Sequence, residues 1–320
     1  MFDASFPARV RADFPAYERL FDGRPLAFLD GPAGSQVPRG VIAAVADYLA
    51  YHNANLGGFF PTVVESEAMI LEARRAMADF LGGDSREVVF GQNMTTLTYA
   101  FSRALSRTWE PGDEVIVTLL DHQANVAPWK AAAAERGAVV RVVPFHPETG
   151  TLDYAALESL LGERTRLVAI GYASNALGTI NDVRRVIDRA RAVGALSFVD
   201  AVHYAPHGAI DVGGLGCDFL ACSAYKFFGP HVGVLWGKLE HLERLEPLKV
   251  PPAPENAPDR WESGTLSHEG IAGVAAAVDW IAGLAPSPTG SRRQGVLAGM
   301  GLIERNEAAL MVTLLDGLTA

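Results

Sequence analysis

The chain has 320 residues, 49% of them hydrophobic and 20% charged, with a formal net charge of −10. This is ordinary globular composition, long enough for one large domain or two smaller ones around a substantial core. The acidic balance disfavours a nucleic-acid surface, no apolar run reaches membrane-spanning length, and the first residues, MFDASFPARVRADFP, lack the apolar centre of a secretory signal.

In chain order, Phe28–Pro38 (FLDGPAGSQVP) is rich in glycine and proline and reads as turns. Thr62–Gly82 has apolar residues at helical spacing and a closing glycine, the pattern of an amphipathic helix. From Glu87 a regular alternation begins. Strands are predicted at Glu87–Gly91, Asp113–Asp121, Ala138–Phe145, Thr165–Ser174, Ala195–Val202, Cys217–Lys226 and Val232–Lys238. Helices are predicted at Thr95–Leu105, opened by threonines, and at Asn125–Gly137, Asp153–Gly162 and Asn181–Gly194. The strands are nearly continuous Val/Ile/Leu runs, as in sheets covered by helices on both faces. Lys249–Gly264 and Ala285–Gly295 read as loops, and His268–Leu284 and Leu302–Leu318 as helices. The sum is an α/β fold on a mostly parallel sheet, with ligand chemistry expected at the strand ends. We divide it into an N-terminal arm and helix (1–60), a large α/β domain (61–285) and the start of a C-terminal small domain (286–320).

Common sheet ligands leave motifs that are missing here. GGLG at Gly213–Gly216 precedes a strand instead of following one, so a dinucleotide fingerprint is poorly matched, and GxxxxGK[ST] does not occur. His203 and His207 are four apart, but Pro206 breaks a helix between them, which argues against a metal site. Cys217 and Cys222 lie in one apolar stretch at neither CxxC nor zinc spacing, and suit two reduced, buried thiols in a cytoplasmic protein.

The informative stretch is ACSAYKFFGPHVGVLWG, where Lys226 stands alone among apolar and aromatic residues. A desolvated lysine has a lowered pKa and becomes a usable amine nucleophile, able to form a Schiff base with an aldehyde. Pyridoxal 5'-phosphate is the cofactor that needs such an amine, together with an acid beside its ring nitrogen and a cradle for its phosphate. Asp200 at a strand end is the candidate acid, and Asn93–Thr96, at a helix start, the candidate cradle. Singly, Thr95 or Thr96 could be a helix cap, Asp200 a turn residue, Ser223 a satisfied strand hydroxyl and Lys226 a surface lysine. Together they fall at successive strand ends of one sheet.

On MTTLTYAFSRAL, DHQANVAPW, YASNALGTIND, FVDAVHYAPHGAIDV, CDFLACSAYKFFGPHVGVLWG and RWESGTLSHEGIAGVAAAVDW, the chain resembles the fold-type I pyridoxal-phosphate enzymes of the class V aminotransferase family, and within it the cysteine desulfurase-like proteins. The resemblance runs from about Phe28 to Leu284. It implies a seven-stranded large domain and an enzyme acting on a small amino acid at its Cα–H. Lys226 would hold the cofactor as a Schiff base and shuttle the proton, and Asp200 would pair with the ring nitrogen. His203 and Asn175 would approach the phenolic oxygen, and Thr95, Thr96, Ser223 and Tyr225 would hold the phosphate. Thr265 would reach the phosphate of the other subunit of a homodimer. Two departures stand out. Desulfurases carry histidines where we align Gln123 and Tyr225, with Gln123 expected over the ring and His122 one position away. The family also continues into a C-terminal domain that supplies a carboxylate-gripping arginine and, in desulfurases, a sulfur-accepting cysteine; Arg260 is a candidate grip, though more in keeping with a loop or interface. The rival readings are a truncated, non-catalytic relative that binds the cofactor or serves as a partner subunit, and a nicotinamide dehydrogenase on a similar sheet.

Overall fold

A computed structural model describes residues 5–285 and 290–319. Its centre is a seven-stranded sheet: β1 (Val88–Gly91), β2 (Glu114–Thr118), β3 (Val139–Val143), β4 (Thr165–Gly171), β5 (Leu196–Asp200), β6 (Phe219–Ser223) and β7 (Gly233–Gly237). The spatial order is β1-β7-β6-β5-β4-β2-β3. Only β7 runs against its neighbours; the other strands are parallel.

The register decides what meets at the sheet's edge. Gly171 pairs with Asp200 and Asp200 with Ala221, while Ser223 pairs with Gly233 and Gly233 with Gly91. The carboxyl ends of β1, β4, β5 and β6 therefore form one row with the start of β7, the crevice where open α/β sheets take ligands.

Alternate residues of each strand enter two cores. Phe198, Phe219 and Leu235 pack with Phe101 and Trp129 on one face. Val199, Leu220 and Val234 pack with Met77, Phe80 and Leu81 on the other. This period of two, apolar on both faces, is why the strands read as unbroken hydrophobic runs.

The described α-helices of seven residues or more are α1 (Arg39–Asp47), α2 (Pro61–Leu81), α3 (Met94–Ser106), α4 (Ala127–Arg136), α5 (Tyr154–Leu160), α6 (Val183–Ala192), α7 (His268–Ala282) and α8 (Arg292–Thr319). Proline opens α2, and Gly82 closes it in the left-handed region with φ 76°. The cap of α3 is Asn93, not a threonine: its side chain accepts the Thr96 N–H at 2.9 Å.

Other boundaries also move. The strand predicted to Phe145 stops at Val143, because Pro144 has no N–H for the ladder. The strand predicted to Lys226 stops at Ser223, and Ala224–Lys226 form a 3-10 turn. There the Ala224 N–H turns to the Val232 carbonyl. The predicted loop Ala285–Gly295 falls partly outside the described residues, and its end, from Arg292, is already helix. Gly295, Val296, Gly299, Met300 and Ile303 of α8 are buried, and α8 packs on α7 and α2. The last turns of α8 expose Leu310, Leu314 and Leu318.

Candidate active site

At the carboxyl edge of the sheet opens a cavity of about 640 Å³, within the range of cofactor sites. Five segments supply its chemistry: the start of α3, the loop after β5, the turn after β6 and the loops after β2 and β4.

The start of α3 brings Asn93, Met94, Thr95 and Thr96 to the wall. The Met94 N–H donates to Ser223 Oγ at 3.0 Å, and Thr96 Oγ1 donates to the Asn93 carbonyl at 3.0 Å. Asn93 lies so close to β7 that only glycine fits opposite: a Cβ on Gly233 would sit 2.3 Å from the Asn93 carbonyl carbon. The sequence thus brings a helix N-terminus, with its partial positive charge, onto the strand row.

Asp200 closes β5 at the floor of the cavity and is only 6% exposed. Among the described residues its carboxylate accepts one hydrogen bond, from the Val202 N–H at 2.9 Å, and has no ion-pair partner within 4 Å. Burial pushes its pKa up to about 6, against the pull of that N–H, His122 and Lys226. A second buried acid, Asp121, stands behind the wall. It accepts from the Gly171 N–H at 2.7 Å, Thr118 Oγ1 at 2.9 Å and Asn125 Nδ2 at 2.9 Å. Burial pushes it up to about 7, and Asp200 adds to that rise.

Lys226 is buried in the turn after β6, and its ammonium donates to the Pro32 carbonyl of the N-terminal arm. Burial lowers its pKa, while Asp200 holds it up. Tyr225 precedes it; the Tyr225 carbonyl accepts from the Ser35 N–H at 2.9 Å and from Ser35 Oγ at 3.0 Å. These bonds tie the turn to the arm. His203 lines the cavity three residues beyond Asp200, and burial lowers its pKa, with His207 and Lys226 acting the same way. Asn175 reaches the rim from the loop after β4.

Eight of the ten residues singled out by sequence line this one cavity: Thr95, Thr96, Asn175, Asp200, His203, Ser223, Tyr225 and Lys226. Gln123 does not. Its side chain is exposed outside the cavity, and His122 lines it instead. His122 Nδ1 accepts the Ala124 N–H at 3.1 Å, which leaves the proton of the neutral ring on Nε2. Thr265 is exposed on the loop before α7, beside a neighbouring hollow that shares Thr96 and His231 with the cavity. Arg260 also lies elsewhere, donating to the Glu243 carbonyl at 2.7 Å. Cys217 and Cys222 are fully buried in the core, with burial pushing the Cys217 thiol up to about 12 and the Cys222 thiol higher still. Sequence reasoning missed Asn93 as the cap, although asparagine directly before a helix is a cap signal, and missed His231 and Pro32, which reach the site only through tertiary folding.

A buried amine, an unpaired buried acid and a helix N-terminus on one strand-end row define a class of protein: an α/β enzyme built for an aldehyde cofactor that carries a phosphate and a basic ring nitrogen. The comparisons agree. The family model for Aminotransferase class-V matches residues 27–289. A cysteine desulfurase of Pectobacterium carotovorum is 36% identical over 331 residues, covering 98% of this chain and 78% of the relative. The chain also superimposes on the crystal structure of a cysteine desulfurase from Escherichia coli, with TM-score 0.78 and 30% identity over 90% of this chain and 73% of that one. An apo cysteine desulfurase from Thermococcus onnurineus gives 0.86 at 27% identity, over 100% of this chain and 78% of that one.

The chain belongs to the class-V aminotransferase family and is a pyridoxal-phosphate-dependent enzyme acting on an amino acid. Its residues fit that cofactor. The unpaired Asp200 has room for a cationic partner, which would return it to the ionised state, and the Gly233 contact keeps the α3 terminus open toward an anion.

Proposed function

We propose that the enzyme acts on L-cysteine and removes its sulfur. The observation that carries this reading is the convergence of Lys226, Asp200 and His122 on one cavity in a chain 36% identical to a cysteine desulfurase. With His122 at the wall, the exposed Gln123 is no obstacle to acid–base chemistry there.

Bound pyridoxal phosphate supplies an electron sink for negative charge at the substrate Cα. The remaining work falls to the chain. Lys226 would hold the cofactor through its amine and would move the proton at the substrate Cα; burial lowers its pKa, which favours the free amine such a base needs. Asp200 would pair with the ring nitrogen of the bound cofactor and, ionised by that partner, would favour its protonated form. His122 Nε2 carries a proton to or from the substrate's sulfur. Thr95, Thr96, Ser223 and Tyr225 hold the phosphate, and His203 and Asn175 hold the phenolic oxygen and the substrate carboxylate.

Cys217 and Cys222 are buried and do not line the cavity, so neither is the sulfur acceptor in this reading, and an added low-molecular-weight thiol serves as acceptor in the assay. L-cysteine and R–SH give alanine and R–S–SH. The Cβ–S and acceptor S–H bonds break, and the Cβ–H and S–S bonds form. We further propose a homodimer in a reducing, cytoplasmic setting. Tyr51, Phe59 and Phe60 are exposed, Phe59 fully, and the same region borders Thr265 through a hollow lined by Leu56 and Gly57. Sedimentation that returns only the monomer mass overturns the dimer.

The test adds pyridoxal phosphate to the purified protein, reduces with borohydride and maps the adduct by mass spectrometry, beside Lys226→Ala. The adduct should fall on Lys226 and vanish in the variant. Cysteine with dithiothreitol should then yield alanine and sulfide in equal amounts. Pyruvate and ammonia as products would replace desulfuration by elimination, and no adduct in the folded wild type would remove the cofactor assignment.

A further inference from the structure

We propose that His231 is the cationic anchor for the phosphate of the cofactor, a role that rests on the cofactor assignment above. A phosphate dianion in a protein site takes its strongest bonds from charged donors. No arginine lines the cavity; the side chains on its wall that can carry positive charge are His122, His203, Lys226 and His231.

Three of these are committed elsewhere. Lys226 is held at the Pro32 carbonyl and feels Asp200. His122 acts on Asp200 from the floor, and His203 lies in the loop directly after Asp200, with its ring 5.2 Å from that of His207. His231 alone stands on the α3 side. It and Thr96 are the two residues that line both the main cavity and the adjoining hollow, so they form the wall between them. The helix terminus presents the Thr95 and Thr96 hydroxyls to the same wall.

The ring is also oriented. It stacks on Tyr225 with centroids 5.1 Å apart and planes 18° from parallel. Tyr225 is in turn fixed by the two Ser35 bonds to its carbonyl. An aromatic face beneath an imidazolium stabilises its charge, and the stack spares the ring the entropy of being ordered on binding. His231 enters the site from the connection between two antiparallel strands, β6 and β7, and its backbone leads directly to Gly233, where Asn93 packs. The histidine is therefore two residues from the point where the strand row meets the helix cap.

The experiment measures affinity of the apo-protein by tryptophan fluorescence for three ligands: pyridoxal phosphate, inorganic phosphate and pyridoxal, which lacks the phosphate. His231→Ala should weaken pyridoxal phosphate and inorganic phosphate by about 10- to 100-fold, the worth of a charge-assisted hydrogen bond, and leave pyridoxal within twofold of wild type. His231→Gln, which keeps a donor without the charge, should fall between. Loss of less than threefold for pyridoxal phosphate in His231→Ala overturns the assignment, as does an equal loss for pyridoxal, which would mean a general disturbance of the cavity. A wild-type protein that binds pyridoxal but not its phosphate overturns it too. One that binds neither refutes the cofactor reading beneath it.

Discussion

Replacing Gly233 by alanine tests whether the strand row positions the phosphate cradle. The new Cβ would lie 2.3 Å from the Asn93 carbonyl carbon and 2.6 Å from its Cα, where ordinary contact begins at 3.4 Å. Both are backbone atoms, so no side-chain rotation relieves the clash, and the start of α3 must withdraw by about 1 Å. That movement breaks the 3.0 Å bond from the Met94 N–H to Ser223 Oγ and carries Thr95 and Thr96 with it. Overpacking of this kind costs about 1–3 kcal/mol of stability. The functional loss should be larger, since a displacement of about 1 Å in a positioned group can cost on the order of 100-fold. Gly40→Ala is the control: it lies in α1 with nothing within 4 Å of the added Cβ, and should be neutral or stabilising by up to about 1 kcal/mol. Urea unfolding and titration with pyridoxal phosphate, run on both variants, separate fold from site. A Gly233→Ala protein that binds the cofactor within threefold of wild type would refute the reasoning.

The two buried acids make the cofactor-free protein sensitive to pH. Asp200 is raised to about 6 and Asp121 to about 7, so each binds its proton more tightly folded than unfolded. Stability from these groups is present below about pH 4 and is lost as pH rises through 4 to 7. Asp200→Asn and Asp121→Asn should therefore gain on wild type across that window, by on the order of 1–3 kcal/mol each; parallel stability curves would contradict this. Arg74, 5% exposed, is paired with Glu262 at 2.7 Å. Glu262 also accepts the Phe90 N–H at 2.8 Å, which fixes the loop that carries Thr265 to β1. Arg74→Met strands that carboxylate and should cost about 3–5 kcal/mol in urea unfolding. Adding Glu262→Gln should recover part of it, and a double variant no more stable than the single would dismiss the ion pair as the cause.

What was legible in the sequence, and what was not, follows from the range of the forces involved. Strand and helix alternation is a local signal, because each strand carries its own double-sided hydrophobic run and each helix its own period. The seven strands were therefore readable, and so was the row of chemistry at their ends: Asp200 closes β5, and Ser223 closes β6 three residues before Lys226. Residues that act through their own strand end were found. The boundaries that moved did so for reasons no hydrophobic pattern contains, such as the missing N–H of Pro144 or the 3-10 turn at Ala224–Lys226, closed by the Phe227 N–H on the Ala224 carbonyl. Residues that reach the cavity from elsewhere were invisible for a related reason. Pro32 is 194 positions from the lysine it meets, and His231 enters from the connection before the one antiparallel strand. Gln123 and His122 show the limit most sharply. Neighbours in an extended or turning segment point in different directions, so a shift of one residue in aligning a motif exchanges a wall residue for a solvent residue. The Ala124 N–H selects between them, because its bond to Nδ1 pins the His122 ring at the cavity while Gln123 stays exposed. The placement of His122 in the reading proposed above thus depends on one backbone bond in a 3-10 turn, a feature that composition, periodicity and motif spacing do not encode.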